Sequence, residues 1–298
     1  MKIKDKQLKD KKVGLIFILL AVASGFFTAL SDIISKDYMR RFDVDGFFAL
    51  YVRWLFCSLS LLPLLFAVEF PKDTSIILVS LGLVPLEIIA GYLYMKSLEI
   101  AESTLVLPFQ SFTPVFIPPL ASFMIGEKYS AQGLLGIGLV VSGSFLLFRN
   151  NGYIANADKK AIFYMLGAAL IYAFSSVVGR YVILNTSPLF FSVFYMLVLS
   201  LILTPYFIKK YRHYNLRHFF KSSIIPSFVL GFTTALAVIT HFVSVLKIET
   251  GYMISIKRTS VIFSVILGYL FLREKSQIKE RFLGALLMTI GVFVIAIN

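Results

Sequence analysis

The sequence predicts an all-α integral membrane protein whose ten transmembrane helices form two inverted five-helix repeats. The chain of 298 residues is 58% hydrophobic and 15% charged, whereas soluble domains average roughly 25% charged residues. Its apolar residues lie in ten long runs, each long enough to cross a bilayer. The chain length alone would permit two soluble domains, but the apolar runs exclude that reading. In addition, the second half of the chain repeats the first.

Each apolar run is predicted to be a helix, because lipid offers the backbone no hydrogen-bond partner. At about 1.5 Å per residue, runs of this length cross a ~30 Å hydrocarbon core. In chain order they are Gly14–Ser35, Gly46–Val68, Ser75–Tyr94, Thr104–Ile125, Ala131–Phe148, Ala161–Val182, Pro188–Ile208, Ile224–Leu246, Gly251–Leu272 and Phe282–Ile297.

The runs divide the chain into a basic N-terminus (1–13), a first repeat (14–148), a polar linker (149–160) and a second repeat (161–298). The N-terminus holds six lysines and two aspartates before Val13. It resembles the start of a signal peptide, but the run behind it is too long for one and shows no cleavage site. We therefore expect the first helix to be retained.

The internal repeat becomes visible when the chain is shifted by 147 residues. The segments 97–128 and 244–275 then align without a gap, and Glu127 meets Glu274. Near the start, a shift of 144 places Ser31 on Ser175 and Lys36 on Arg180. Because five helices is an odd number, the second repeat enters the membrane inverted, a recurrent design among transporters. The alternative is a duplication kept only for packing.

Matching motifs end the fourth and ninth runs: Gly126-Glu127-Lys128 in one and Arg273-Glu274-Lys275 in the other. Each is followed by a glycine-containing helix, GLLGIGLVVSGSFLL or FLGALLMTIGVFVIAI. In these features the chain resembles the drug/metabolite transporter superfamily and, within it, the ten-helix EamA-type transporters. The resemblance implies a carrier of amino acids, other metabolites, nucleotide sugars or phosphorylated sugars, often an exporter, with both termini in the cytoplasm.

The fourth run contains four prolines, Pro108, Pro114, Pro118 and Pro119. The aligned ninth run contains none. Since proline interrupts helical hydrogen bonding, we expect that the two halves do not bend alike. Pro108 and Pro114 are candidates for a hinge, and a fixed kink is the alternative.

Lys257 and Arg258 are the strongest candidates for substrate binding, because two adjacent cations lie near the middle of the ninth run. A charge there costs roughly 2.5–3.5 kcal/mol on insertion scales and is usually functional. Fixed cations suit a carboxylate or phosphate, and the pair is similar to one in phosphate-translocating members of the superfamily. The alternative is an internal ion pair with Asp32 or Glu87.

Further candidates share the depth of this pair or carry charge. Gln110 aligns with Lys257, Ser111 with Arg258, and Tyr94 with His241, so these side chains are predicted to surround one cavity. Glu87 and Asp32 are candidates for proton coupling or ion pairing, and Arg53 for pairing with a carboxylate. A packing role for His241 is the alternative to substrate contact.

The function that these features favour is a secondary transporter of an amino acid, organic anion or phosphorylated metabolite, working by alternating access around a cationic site. An intramembrane enzyme is disfavoured because H-E-x-x-H and G-x-S-x-G motifs are missing, and a scaffold because the charges lie within spans. We expect no cofactor, metal or nucleic acid. The predicted partners are a small-molecule substrate and membrane lipid, with the chain a monomer or homodimer in the cell (inner) membrane.

The net charge of +13 is attributed to basic flanks that face anionic headgroups. Sixteen Lys and Arg lie on the side opposite the termini, against ten on the side of the termini. The positive-inside rule therefore disfavours the cytoplasmic termini that the resemblance implies, and the orientation stays open.

Overall fold

The structure is a computed structural model that describes residues 2–101, 103–146, 159–272 and 278–297. Within these ranges the chain is helical and contains no strand. The α-helices are α1 (Lys2–Phe42), α2 (Gly46–Leu61), α3 (Thr74–Ile100), α4 (Ser103–Gln110), α5 (Thr113–Ile125), α6 (Ala131–Leu146), α7 (Lys159–Asn185), α8 (Pro188–Lys210), α9 (Leu216–Ser244), α10 (Thr250–Lys257), α11 (Ser260–Leu272) and α12 (Ile278–Ala296), and a 3-10 helix (Leu62–Ala67) continues α2.

These helices account for the ten predicted spans, and the all-α inverted-repeat fold is confirmed. Seven spans are long and apolar enough to cross a membrane, and three shorter apolar helices accompany them within the described residues. Several helices exceed the predicted runs: α1 continues to Phe42 and α9 begins at Leu216. The side chains of residues 1–13, Pro108, the pair Glu274-Lys275 and linker residues 149–158 lie outside the described residues.

Two spans are each built from two helices that meet near the middle of the membrane. The chain leaves the helix after Gln110 between α4 and α5, and after Lys257 between α10 and α11. The two interruptions occupy aligned positions in the repeats. The prolines of the fourth span led to the expectation that the two halves would bend differently. This expectation is wrong for the position of the break, because the ninth span is interrupted at the aligned position although it contains no proline.

Helices α6 and α12 cross where glycines let their backbones touch. A Cβ atom on Gly143 would lie 2.7 Å from the carbonyl oxygen of Gly284, and one on Gly136 would lie 3.0 Å from that of Gly291. Residue numbers rise along α6 as the partners fall along α12, so the two helices are antiparallel. They pair the last span of one repeat with the last span of the other.

Most packing between the halves obeys the repeat symmetry, with one exception. Helix α1 packs along α9 as extensively as its counterpart α7 packs along α3. Helix α2, however, lies closely against α9, whereas the equivalent pair, α8 and α3, makes much less contact. The structure is therefore closed on one side and open on the other.

The closed side, called the sealed face, carries the α1–α2 and α8–α9 turns; the other side, where α1 begins and α12 ends, is the terminal face. Aromatic rings fill the sealed face: the Phe48 ring packs at 4.8 Å from that of Phe219, and Tyr51 stacks at 3.9 Å on Phe207. A Cβ on Gly231 would lie 2.3 Å from the backbone of Phe56, so α2 and α9 touch directly.

Asp45 fastens the sealed face by joining the start of α2 to the end of α8. It caps α2 through the amide of Phe48 and accepts hydrogen bonds from Lys210, at 2.8 Å, and from Tyr211. Burial alone would raise the pKa of Asp45, but these hydrogen bonds outweigh it and hold the pKa below its usual value. The carboxylate therefore stays ionised and ties the end of α8 to the start of α2.

Glu127, the motif residue of the first repeat, fastens the terminal face. Its carboxylate accepts hydrogen bonds from the amide of Thr250, at 3.1 Å, and from the Thr250 hydroxyl, at 2.7 Å, at the start of α10. It also pairs with Arg180 of α7 at 2.8 Å. Burial and a hydrogen bond to Glu127 raise the pKa of Tyr129, which keeps that phenol protonated as a donor.

Candidate functional site

A cavity of about 180 Å³ lies at the middle of the bundle, between the two repeats. Its lining reaches Ile183 near the end of α7, Phe191 in the first turn of α8 and Val245 just beyond α9. These three residues lie towards the terminal face, whereas the aromatic rings close the sealed face. The cavity therefore extends from mid-membrane towards the terminal face.

The first repeat brings a buried ion pair to the wall of the cavity. Arg53 of α2 lies 2.8 Å from one carboxylate oxygen of Asp32 on α1, and Tyr94 of α3 donates a hydrogen bond of 2.5 Å to the other. Arg53 and Tyr94 line the cavity, and Asp32 stands behind them, 2% exposed. Both oxygens of Asp32 thus have hydrogen-bond partners, and its direct ion pair is with Arg53.

The break in the ninth span carries Lys257 and Arg258 into the cavity. Arg258 donates a hydrogen bond of 2.6 Å to the amide oxygen of Gln110, beside the break in the fourth span. Span 1 supports the unwound segment, because Gly25 has no side chain: a Cβ there would lie 2.8 Å from the carbonyl oxygen of Lys257. The two interruptions therefore place one cationic and one neutral polar side chain together across the repeat interface.

Several polar groups of the cavity have no hydrogen-bond or ion-pair partner among the described residues. Lys257 and Glu87 are two such charged groups, and both line the cavity. The Nε of Arg258 and the Nδ1 of His241 are buried without a hydrogen bond in the described part of the chain. One lysine, one carboxylate and two nitrogen groups are therefore free to meet a ligand.

The other predicted residues fall in different places. Ser111 lies in the break of the fourth span but hydrogen-bonds Ser144 at 2.8 Å and does not line the cavity. Pro114 is the second residue of α5 and lines a separate groove between α5 and α6. Tyr172 also lines the cavity, whereas Tyr252 lies near the terminal face and accepts a hydrogen bond from the amide of Ser130.

Sequence reasoning missed several cavity residues. Trp54, Phe191 and Tyr195 form apolar walls, and Thr234 adds a hydroxyl group. Thr234 is the counterpart of Glu87 at the shift of 147 residues, so the repeat alignment contained the signal for it. The aromatic residues carry no comparable signal, because they are common in every span. In the described ranges no group of three His, Cys, Asp or Glu residues is arranged to hold a metal ion.

Comparison with known proteins agrees with this architecture. The sequence profile of the EamA-like transporter family matches residues 15–149 and again 159–297. An "Uncharacterized transporter" of Archaeoglobus fulgidus is 25% identical over 284 residues, which cover 93% of this chain and 94% of that protein. A solved crystal structure with 13% identity superimposes with a TM-score of 0.68 over 95% of this chain and 96% of the other, which shows a shared fold. The chain is a multi-pass membrane protein that belongs to the EamA-like transporter family.

Proposed function

We propose that the chain is a secondary carrier that moves a small anionic or zwitterionic metabolite by alternating access around Lys257 and Arg258. The observation that carries the proposal is a cavity at the repeat interface whose cationic side chains include an unpaired lysine. Binding sites of transporters built from inverted repeats lie at this position, between discontinuous helices.

The unequal closure of the two faces supports alternating access. Helices α2 and α9 meet closely at the sealed face, while their counterparts α8 and α3 make little contact. If α8 approached α3 as α2 approaches α9, the cavity would close towards the terminal face. Exchange between these two arrangements would present the same residues to either side of the membrane.

The charges of the cavity favour a substrate with a carboxylate or phosphate group. Two of the four cations that line the cavity are paired, Arg53 with Asp32 and Arg180 with Glu127. The remaining cations of the lining are Lys257 and Arg258, against the carboxylate of Glu87. With all three ionised, this set carries one excess positive charge. An arginine can bind an oxyanion with two parallel hydrogen bonds, and lysine adds a point charge.

Glu87 suggests a zwitterion in preference to a simple anion. An unpaired carboxylate that lies in the same cavity as an unpaired lysine is suited to an ammonium group on the substrate. The apolar wall of Trp54, Phe191 and Phe242 would contact a hydrophobic side chain. A proton carried by Glu87 during coupled transport is the competing role for this residue.

The test is flux into proteoliposomes with three related probes: leucine, its deaminated analogue 4-methylpentanoate and its decarboxylated analogue 3-methylbutylamine. We expect saturable flux of leucine and at least about a tenfold loss on Lys257→Gln, the effect of removing one charged hydrogen bond. The matched control is Lys128→Gln, since Lys128 is an exposed lysine outside the spans.

The Glu87→Gln variant separates the two roles of the carboxylate. If Glu87 binds an ammonium group, the variant moves leucine and 4-methylpentanoate equally well. If Glu87 carries a proton, the variant keeps its preference among the probes but no longer responds to a pH gradient. Flux that is unchanged in Lys257→Gln would contradict the proposed site.

A further inference from the structure

The sealed face carries a dense set of exposed basic side chains that substrate transport does not use. This basic surface is formed by the end of α1, the end of α8, the α8–α9 turn and the start of α9. Its Lys and Arg residues are Arg40, Arg41, Lys209, Lys210, Arg212, Arg217 and Lys221, all exposed. His213 and His218 lie among them, and the nearby carboxylates include Asp37, Asp43, Asp45 and Glu99.

Contacts between the helix ends make this surface continuous across the two repeats. The ring of Phe42, directly after Arg41, packs at 5.5 Å from that of Phe219, which lies between Arg217 and Lys221. On the other flank, Lys210 reaches Asp45 at 2.8 Å. The end of α1, from the first repeat, thus lies beside the end of α8 and the start of α9, from the second.

Most of these cations have no protein counterion. Lys210 is paired with Asp45, and Arg212 donates to the ring of His213 at 3.2 Å. In the described part of the chain, Arg40, Lys209, Arg217 and Lys221 make no hydrogen bond or ion pair. Among the described side chains of the terminal face, the exposed Lys72, Lys128 and Lys247 have Glu69, Asp73 and Glu249 near them in the chain.

The basic surface lies at the ends of membrane-spanning helices, beside exposed apolar side chains. Ile208 and Ile225, one turn or two towards the membrane interior, are 54% and 73% exposed, as side chains in contact with acyl chains would be. Exposed Tyr206 and Tyr214 lie at the same level, where tyrosine is enriched at bilayer boundaries. A ligand at this depth meets the basic side chains and the apolar flank together.

We propose that the basic surface binds the headgroups of anionic phospholipids, and that a bound lipid bridges the two repeats at the sealed face. Lipid phosphates supply the missing counterions for Arg40, Arg217 and Lys221, and the acyl chains cover the neighbouring isoleucines. A soluble phosphate lacks the acyl chains and binds more weakly.

The test compares two variants that lose the same charge on opposite faces. The first is Arg212→Gln, Arg217→Gln, Lys221→Gln on the basic surface; the second, the control, is Lys72→Gln, Lys128→Gln, Lys247→Gln on the terminal face. Melting temperatures are measured in detergent while phosphatidylglycerol, phosphatidylcholine or sn-glycerol 3-phosphate is added, each at low and high salt. A ligand that binds the folded protein raises its melting temperature.

We expect phosphatidylglycerol to raise the melting temperature of the wild type and of the control, and high salt to weaken the effect. The basic-surface variant should need at least about tenfold more phosphatidylglycerol for the same shift. Equal responses to phosphatidylcholine, or equal losses in the two variants, would overturn the proposal. A full response to sn-glycerol 3-phosphate would reassign the surface to a soluble phosphate.

Discussion

At the scale of single residues, the cavity separates charges that serve the fold from charges that are available to a ligand. Asp32 uses both carboxylate oxygens on Arg53 and Tyr94, so this group is complete without a substrate. Lys257 and Glu87 have no such partners among the described residues. Removing both charges of a buried ion pair destabilises a protein less than removing one, because the removal of one leaves the other charge buried without a partner.

We therefore predict that Arg53→Leu lowers the free energy of unfolding by roughly 3–5 kcal/mol. The double variant Asp32→Asn, Arg53→Leu should regain much of that loss, since no buried charge remains. Thermal unfolding in detergent measures both. A double variant as unstable as Arg53→Leu would mean that lost packing, and not the unpaired carboxylate, destabilises the protein.

The sequence predicted that Lys257, Arg258, Glu87, Asp32 and Arg53 are exceptional, because charge is costly within a span. It did not predict how they pair, and both Asp32 and Glu87 were open as partners for Lys257. Pairing depends on which faces of α1, α2 and α3 meet. The sequence of a single apolar run carries little information about which face of the helix points towards its neighbours. For the same reason Ser111, although aligned with Arg258, turned out to contact Ser144.

At the scale of helices, the interruptions of the fourth and ninth spans differ in what could be foreseen. Prolines predict a break in the fourth span. The break at Arg258 has no proline; Thr259 closes a local turn by donating its hydroxyl to the carbonyl oxygen of Ile256 at 2.9 Å, and Gly25 makes room for it. These contacts come from tertiary packing and from one hydroxyl, and neither has a clear signal in the sequence.

Helix packing through glycine gives a prediction with a matched control on the same helix. In Gly143→Ala the new methyl group meets the backbone of α12 at 2.7 Å, so α6 and α12 must separate, at a cost of about 1–3 kcal/mol. In Gly138→Ala nothing lies within 4 Å of the new atom. Alanine there should leave the melting temperature unchanged or raise it, because alanine favours helix over glycine.

Thermal unfolding of both variants in the same detergent measures the difference. Equal melting temperatures would show that α6 and α12 do not depend on this close approach. A fall in both would point to a contact of Gly138 with a second copy of the chain, because no other helix in the described part of its own chain comes within 4 Å of the new atom.

At the scale of the whole molecule, the sequence predicts the number of spans and their inverted repetition, since both follow from apolar length and internal alignment. It does not predict which face is open. Openness depends on small differences in packing between α2 with α9 and α8 with α3, and the two arrangements use the same residues. The repeat alignment nevertheless names the residues that would exchange roles.

Leu98 and Val245 are one such pair, related by the shift of 147 residues. Both side chains are buried, at 2% and 0% exposed, but Val245 lines the cavity and Leu98 does not. In a background of Cys57→Ala, we predict that Val245→Cys reacts with a small thiol reagent in this arrangement and that Leu98→Cys reacts only in the alternative one. A substrate that drives exchange should raise the labelling rate of Leu98→Cys and lower that of Val245→Cys; rates that rise together would contradict alternating access.

The rings at the sealed face have unequal counterparts elsewhere in the chain. When the shift of 147 residues is extended back without a gap, Phe219 and Phe220 correspond to Lys72 and Asp73. Closing the terminal face would therefore bring together charged groups where the present arrangement joins phenyl rings. The equilibrium between the two arrangements should therefore favour one of them. The concentration of solute needed for half-maximal transport would then differ between the two compartments. The final concentration gradient of the solute would stay the same.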